Sequence, residues 1–378
     1  MISIRSVTMP KWGLSMKEGK VGRWLIDQGA QVQPGDELLE IETDKILGSL
    51  EASASGVLRR KVATEHSVVP VAGLLGVIAD AAVPDPEIDA FIADFQARFV
   101  PEEAEREASG PTPETIDIEG QSLCYLRRGE GGQPAVLLHG FGGDFNNWLF
   151  NHEVLAAHRA VYALELPGHG GSSKRVGSGT ISEFAMAVAR FVDALDLPRV
   201  HLAGHSMGGA IAIQFALTHP RRTASLTLVA SAGLGPDIDG EYIEGFIRAS
   251  RRNELRPQIE KLFADPKLVS RQMVEDILKY KRLDGVESAL RTIANRFFPE
   301  GRQAILLRDR LGELSMPVLV IWGSNDRIVT VSHAQGLPQN VMTQILPESG
   351  HMVHMEAAAQ FNRVVTSFWK SRDLSGSS

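Results

Sequence analysis

The sequence predicts a multidomain chain: a small all-β barrel-sandwich domain, followed by an α/β domain with a parallel sheet and a helical cap. Three observations predict this architecture. An internal repeat of short strand-like segments fills residues 1–80, Pro, Glu and Ala dominate residues 81–114, and apolar runs alternate with helix-like stretches in residues 115–378. The chain, at 378 residues, is also longer than a domain with a single hydrophobic core usually is. We therefore expect two domains and a linker at these boundaries.

The repeat organises the N-terminal domain. Val32-Gln33-Pro34 recurs 36 positions later as Val68-Val69-Pro70, and apolar residues such as Val21 and Val57 match at the same offset. The segments between them are rich in Val and Leu and are broken by Gly, Pro and Asp, which is typical of short strands. Two similar halves predict a flattened barrel or sandwich with a pseudo-twofold axis.

Lys45 falls in a predicted turn between these halves. Residues 37–43 and 46–52 have the pattern of two strands, so Asp44-Lys45 is expected at an exposed hairpin tip. An exposed turn suits a cofactor that must visit separate active sites, whereas an ordinary hairpin lysine is the simpler alternative.

The pattern resembles the lipoyl domains of 2-oxo acid dehydrogenase complexes and the related biotin carriers. In those families a lysine in such a turn is amidated by the cofactor. A biotin carrier would normally show Met-Lys-Met, so Glu42-Thr43-Asp44-Lys45 favours lipoate attached to Lys45. The resemblance covers nearly all of residues 3–79 and includes Met9-Pro10-Lys11-Trp12-Gly13.

The linker of residues 81–114 contains a possible amphipathic helix. Ile88, Phe91, Ile92, Phe95 and Phe99 recur at spacings of three and four. Such a helix either docks on a neighbouring domain or recognises a partner enzyme. The Pro- and Glu-rich flanks predict an extended connection.

The C-terminal domain contains five near-continuous apolar runs, as expected for parallel strands buried on both faces. They span residues 135–138, 159–164, 200–203, 226–229 and 318–321. Gly204-His205-Ser206-Met207-Gly208 follows the third run and precedes a helix-like stretch. It has the Gly-x-Ser-x-Gly pattern of the nucleophile elbow of α/β-hydrolases, which it resembles, and this implies that Ser206 is the nucleophile.

A serine hydroxyl needs a base, and the base needs an orienting carboxylate. In the α/β-hydrolase family these follow in the order Ser, Asp, His. Trp322-Gly323-Ser324-Asn325-Asp326 resembles the acid loop, and Gly350-His351 resembles the histidine loop. The resemblance implies Asp326 as acid and His351 as base, with His354 as the competing candidate.

An oxyanion hole requires preorganised donors. The resemblance places one at the backbone N–H of Met207 and the other in His139-Gly140-Phe141-Gly142-Gly143, with Phe141 as donor and His139 supporting the loop. In the stretch from Glu165 to Ser172, Glu165 stands where the family usually has aspartate.

Residues 234–310 lack strand-like runs and predict a helical cap that covers the site. Individual arginines in this region could contact an anionic ligand, such as the phosphates of coenzyme A, although solvated cap arginines are the simpler interpretation. The candidates are Arg248, Arg251, Arg252, Arg256 and Arg271.

Composition excludes several classes. A formal charge of −7 without a basic stripe gives no indication of nucleic acid binding. The single cysteine, Cys124, allows no intrachain disulfide, and no Cys/His cluster has zinc spacing, so no metal is expected. The longest apolar stretch is too short and too polar for membrane insertion, and no signal peptide is evident. A reducing cytoplasm is the predicted compartment.

The combination resembles the acetyltransferase components of bacterial acetoin dehydrogenase systems, since the His-x-x-x-Asp-Gly motif of pyruvate dehydrogenase-type acyltransferases is absent. The resemblance implies acetyl transfer from dihydrolipoyl-Lys45 to coenzyme A, through acyl-Ser206 or by direct thiol attack assisted by His351. It implies a thiamine-diphosphate-dependent acetoin dehydrogenase and a dihydrolipoamide dehydrogenase as partners, and an oligomer is possible. Alternatives are a thioesterase, esterase or C–C-bond hydrolase with a carrier domain, and a scaffold with a vestigial catalytic domain.

Overall fold

The computed structural model describes residues 4–12, 16–43, 47–101 and 112–373. The chain divides into two compact units, and the main boundary along the chain falls between Thr112 and Pro113.

In its described residues, the N-terminal unit contains an all-β domain of two four-stranded sheets, as predicted, and a helix that follows it. The strand orders are β1-β8-β6-β3 and β5-β4-β2-β7. Strands β2, β3 and β4 of one half correspond to β6, β7 and β8 of the other, and the 36-residue repeat underlies this correspondence. The strands are β1 (Ile4–Thr8), β2 (Glu18–Trp24), β3 (Gln31–Val32), β4 (Glu37–Glu42), β5 (Leu47–Glu51), β6 (Gly56–Lys61), β7 (Val68–Pro70) and β8 (Leu74–Ala79).

The first helix, α1 (Asp85–Arg98), packs on this β domain. Ile88 is fully buried in a cluster with Leu74 and Val77 of β8. Two ion pairs hold the start of the helix: Arg59 to Asp85 at 2.7 Å and Arg60 to Asp89 at 3.1 Å. The apolar face therefore covers the edge of the N-terminal core.

The C-terminal unit is built on an eight-stranded sheet with the order β16-β15-β14-β13-β11-β12-β10-β9. Strands β11 to β16 are parallel, and β9 and β10 add an antiparallel edge. The central strands are buried along their whole length, which explains their continuous apolar sequences. The strands are β9 (Glu114–Ile118), β10 (Gln121–Arg128), β11 (Ala135–Leu138), β12 (Val161–Leu164), β13 (Val200–His205), β14 (Thr223–Val229), β15 (Val318–Gly323) and β16 (Val341–Leu346).

Helices follow most of the parallel strands of this sheet and also form the cap. Four of them, α5 to α8, lie in the long connection between β14 and β15, within the region predicted to be the cap. The helices are α2 (His152–Leu155), α3 (Ile181–Ala194), α4 (Met207–Thr218), α5 (Gly240–Arg248), α6 (Arg252–Glu260), α7 (Arg271–Lys281), α8 (Val286–Phe297), α9 (Val353–Glu356) and α10 (Ala358–Asp373).

The strand order predicts where a ligand-binding site lies on this sheet. Strand β11 has β12 on one side and β13 on the other, so the direction of winding reverses there. In open α/β sheets, ligands bind beyond the carboxyl ends of the strands at such a point. The loops that follow β11 and β13 carry Phe141 and Ser206, and they therefore meet at this edge.

Candidate active site

Ser206 occupies the tight turn between β13 and α4. Its backbone has φ 52° and ψ −119°, a conformation that is strained for a residue with a side chain. The turn closes only with glycine on either side. A Cβ on Gly204 would lie 2.3 Å from the carbonyl oxygen of Gly208, and a Cβ on Gly208 would lie 2.5 Å from that of His139. The motif therefore requires glycine at both positions, because any side chain there would clash with the backbone.

Asp326 and His351 form a buried hydrogen-bonded pair. Nδ1 of His351 lies 2.8 Å from Oδ2 of Asp326, and the Asp326 side chain has no exposed area. Oδ1 of Asp326 accepts the backbone N–H groups of Ile328 and Val329, which fix the carboxylate. Because the carboxylate accepts from Nδ1, Nε2 of His351 is left unprotonated and can act as a base.

The competing histidine, His354, is not the partner of Asp326. Its ring is buried and packs between Trp148 and His205, with both ring centroids 4.7 Å away. Burial lowers the pKa of His354 to about 3, so the side chain is neutral.

Glu356 holds the loop that presents His351. Its carboxylate accepts the backbone N–H of Gly350 at 2.6 Å and that of Ala264, from the cap, at 2.7 Å. Burial raises the pKa of Glu356, and these backbone hydrogen bonds oppose that rise. Nε2 of His205 also donates to the carbonyl of His351 at 3.0 Å, which ties the elbow to the histidine loop.

The backbone N–H groups of Phe141 and Met207 are available as donors. Within the described ranges neither N–H donates to a protein acceptor. Met207 begins α4, whose first N–H groups have no partner inside the helix. Phe141 lies in the loop after β11 and lines the same pocket as Ser206. This arrangement suits the stabilisation of an oxyanion.

Two histidines fix that loop. Nε2 of His139 accepts the N–H of Leu166 at 3.0 Å, and Nε2 of His169 accepts the N–H of Gly142 at 3.1 Å. Burial lowers the pKa of His169 to about 4, so its ring stays neutral and able to accept. The role of His169 was not predicted from the sequence, although its position in Pro167-Gly168-His169-Gly170, within the stretch that resembles the family, is a signal for it.

Ser206 and His351 line one pocket, and the cap supplies much of its apolar wall. The cap residues and neighbours that the sequence did not identify are Ile238, Tyr242, Ile243, Phe246, Ile259, Leu262, Ile277 and Phe298. They are scattered over some 60 positions and carry no local motif, so only the folded chain reveals them.

Three of the cap arginines considered as phosphate ligands already have ion-pair or hydrogen-bond partners within the cap. Arg256 pairs with Glu260 at 2.7 Å, Arg252 lies 4.0 Å from Glu275, and Nε of Arg248 donates to the carbonyl of Glu244. None of these three arginines lines the pocket that contains Ser206.

Lys45 lies outside the described residues. Strands β4 and β5 are paired antiparallel up to Glu42 and Leu47, so the two strands predicted on either side of Asp44-Lys45 are present. A lysine amine is the group that forms an amide with the carboxyl of lipoate, which fits the chemistry required. Among the described residues no group of His, Cys, Asp or Glu is arranged to hold a metal ion. None of the described helices has the length and apolar character needed to cross a membrane.

Family models match both domains. Residues 5–78 match a model described as biotin-requiring enzyme, and residues 134–358 match the alpha/beta hydrolase fold. Among solved structures, a meta-cleavage product hydrolase from Pseudomonas fluorescens IP01 aligns with a TM-score of 0.63 at 23% identity. The alignment covers 68% of this chain and 97% of that one, and it supports the fold alone.

Curated relatives extend over the whole chain. A dihydrolipoyllysine-residue acetyltransferase component of an acetoin cleaving system from Pseudomonas putida is 50% identical over 97% of this chain and 99% of its own. The corresponding component from Cupriavidus necator is 44% identical over 96% of both chains. A 2-hydroxy-6-oxononadienedioate/2-hydroxy-6-oxononatrienedioate hydrolase from Paraburkholderia xenovorans is 32% identical over 65% of this chain and 90% of its own.

Fold and site together define a protein in which a lipoyl-type domain precedes a domain of the α/β-hydrolase fold. The two acetoin-system relatives align over nearly the whole of this chain, and therefore over both of its domains. The chain belongs to the family of dihydrolipoyllysine-residue acetyltransferase components of acetoin cleaving systems.

Proposed function

We propose that this protein transfers an acetyl group from S-acetyldihydrolipoyl-Lys45 to coenzyme A in acetoin catabolism. One observation carries the proposal. A serine on a strained elbow shares a pocket with a histidine that is hydrogen-bonded to a buried aspartate, in a chain that also has a lipoyl-type domain. A carrier domain delivers thioesters, and a Ser-His-Asp site is suited to acyl transfer.

The first half-reaction forms acetyl-Ser206. When attached to Lys45, lipoate in its reduced form supplies the thiol that carries the acetyl group as a thioester. Nε2 of His351 takes the proton from Ser206, whose Oγ attacks the thioester carbon. The N–H groups of Phe141 and Met207 hold the oxyanion. The C–S bond then breaks, and His351 returns its proton to the leaving sulfur.

The second half-reaction releases the product. Nε2 of His351 takes the proton of the coenzyme A thiol, and the sulfur attacks the carbonyl carbon of acetyl-Ser206. The ester C–O bond breaks, Ser206 regains a proton from His351, and acetyl-coenzyme A leaves. The apolar pocket wall supplied by the cap disfavours water as the competing nucleophile.

The proposed partners are a thiamine-diphosphate-dependent acetoin dehydrogenase, which would load the acetyl group, and a dihydrolipoamide dehydrogenase, which would reoxidise the carrier. The names of the relatives place them in acetoin cleaving systems, which supports partners of this kind. The cytoplasm is the proposed compartment, and the buried free thiol of Cys124 is compatible with its reducing conditions.

A second candidate function is hydrolysis, because a 2-hydroxy-6-oxononadienedioate/2-hydroxy-6-oxononatrienedioate hydrolase is 32% identical over 65% of this chain. Product analysis separates the two. Supplied with free S-acetyldihydrolipoamide and coenzyme A, the protein should release acetyl-coenzyme A, and little free acetate.

Two variants give this experiment its controls. Ser206→Ala should abolish transfer from the free donor. Lys45→Arg should leave that transfer intact while removing turnover that depends on the protein's own carrier. Acetate as the main product in the presence of coenzyme A would favour the hydrolase.

A further inference from the structure

Phe246 lines the same pocket as Ser206, and its ring contacts that of Phe141 in the loop that carries an oxyanion donor. We infer that Phe246, held in place by Lys281, limits the acyl group at this site to roughly the size of acetyl. The inference rests on the acyl transfer proposed above and names a determinant of its substrate size.

The ring of Phe246 lies directly against the oxyanion loop. It is 1% exposed, and a Cβ added to Gly142 would come within 2.4 Å of its Cε1 and Cζ atoms. Its ring also meets that of Phe141 edge-on, with centroids 5.9 Å apart. Because the carbonyl oxygen of a bound acyl group would lie at the N–H of Phe141, the acyl chain must begin close to this ring.

The remaining space beside Ser206 is small. The pocket holds a volume of about 50 Å³, which corresponds to only a few water molecules. Tyr242 packs against Phe246 with centroids 6.0 Å apart, and Phe298 packs against Phe141 at the same distance. Tyr242 thus supports Phe246 directly, and Phe298 supports the Phe141 ring that Phe246 also contacts, so the Phe246 ring cannot move aside without disturbing its neighbours.

Lys281 fixes the helix that carries this ring. Phe246 lies in the last turn of α5, where carbonyl groups have no partner within the helix. Nζ of Lys281, the last residue of α7, donates to the carbonyls of Phe246 and Ile247, the latter at 3.0 Å. The same ammonium lies 4.8 Å from the centroid of the Phe246 ring. A cation at a helix C-terminus is also favoured by the helix dipole.

One lysine thus binds both the backbone and the ring of the residue that closes the pocket. Phe246 is a residue that determines specificity, and Lys281 is a positioning residue that acts through it. The two are 35 positions apart in sequence, on different cap helices.

The test compares acetyl, propionyl and butyryl thioesters of dihydrolipoamide as free donors, with coenzyme A as acceptor, and measures kcat/KM for each. The unaltered protein should lose about tenfold or more per added methylene, since a tight apolar pocket discriminates by that factor. Phe246→Ala, and the milder Phe246→Leu, should reduce this loss to less than about threefold per methylene.

Lys281→Met should also weaken the preference for acetyl over longer acyl donors, but by a smaller factor than Phe246→Ala. Lys281→Arg should retain most of the preference for acetyl. Phe184→Leu is the matched control, because Phe184 is a buried phenylalanine in α3 that packs against Phe297 and does not line this pocket. It should leave the ratio of acetyl to butyryl transfer unchanged. Thermal unfolding of each variant checks that the fold persists.

Two failures are distinguishable. If the unaltered protein transfers no acyl group to coenzyme A, the proposed function fails. If it transfers acetyl but Phe246→Leu and Lys281→Met keep the original ratio of acetyl to butyryl transfer, the role of Phe246 and Lys281 is wrong.

Discussion

Replacement of Asp326 by asparagine tests the proposed triad without removing a side chain from the core. Oδ1 of Asp326 accepts two backbone N–H groups, and an asparagine oxygen can accept the same two. The other atom then becomes an NH2 group facing Nδ1 of His351, where a carboxylate oxygen now lies 2.8 Å away. The imidazole must then place its proton on Nε2, and it can no longer accept one from Ser206.

We expect kcat for acetyl transfer to fall by about 10⁴-fold, because this is the usual effect of the wrong histidine tautomer in a Ser-His-Asp site. This factor corresponds to an increase of about 5.4 kcal/mol in activation free energy. The assay measures acetyl-coenzyme A formed from free S-acetyldihydrolipoamide at saturating donor. Asp309→Asn, a substitution of the same kind at an exposed position, should leave kcat unchanged. A loss smaller than about tenfold in Asp326→Asn, with the fold intact, would refute the orienting role of this carboxylate.

Three further predictions concern the elbow, the oxyanion loop and the buried histidines. Gly204→Ala should lower the free energy of unfolding by about 2 kcal/mol or more, because its Cβ meets backbone; an unchanged urea midpoint would contradict the steric argument. His169→Leu removes the acceptor for the Gly142 N–H and should lower kcat by about 10- to 100-fold. His169→Gln, whose side chain can accept the same N–H, should recover much of this activity; equal activities in the two variants would contradict this role. Acid should destabilise the C-terminal unit, because burial keeps the pKa of several histidines far below the unfolded value of about 6.5. Below about pH 6.5 the unfolded chain binds protons that the folded chain does not. Four such histidines together should therefore lower the free energy of unfolding by about 5 kcal/mol between pH 6 and pH 5. A urea midpoint that stays constant from about pH 7 to pH 5 would contradict this prediction. The pKa is lowered to about 4 for His152, His169 and His201 and to about 3 for His354.

The elbow and the acid–histidine loops could be predicted because each depends on a local steric or chemical requirement. Gly204 and Gly208 are needed by the turn itself, and the residues around Asp326 and His351 follow strand ends in the order expected for the fold. The continuous apolar runs identified the central strands for the same reason, since a strand buried on both faces has few polar positions.

Polar residues inside the core explain why the fourth predicted strand was too short. The fourth run was expected at residues 226–229, whereas β14 begins at Thr223. Ser225 lies in this strand with its hydroxyl 2.7 Å from Nδ1 of His201, and Thr227 accepts Nε1–H of Trp369. Their hydrogen-bond partners are distant in sequence, so a local pattern cannot show that these residues are satisfied when buried.

The pocket wall could not be predicted for a related reason. Phe246 and Lys281 occur in ordinary amphipathic helices, and nothing nearby distinguishes them from other cap residues. Their roles arise only when α5 and α7 pack over the loop that contains Phe141.

The most direct test of the account is detection of the acetyl group on Ser206. The full-length protein is mixed with S-acetyldihydrolipoamide in the absence of coenzyme A, quenched in acid, digested and measured by mass spectrometry. We predict one acetyl ester on the peptide that contains Ser206, lost when coenzyme A is added, with an equal amount of acetyl-coenzyme A formed. Formation of acetyl-coenzyme A at the full rate by Ser206→Ala, with no acetyl found on Ser206 in the unaltered protein, would contradict the covalent route.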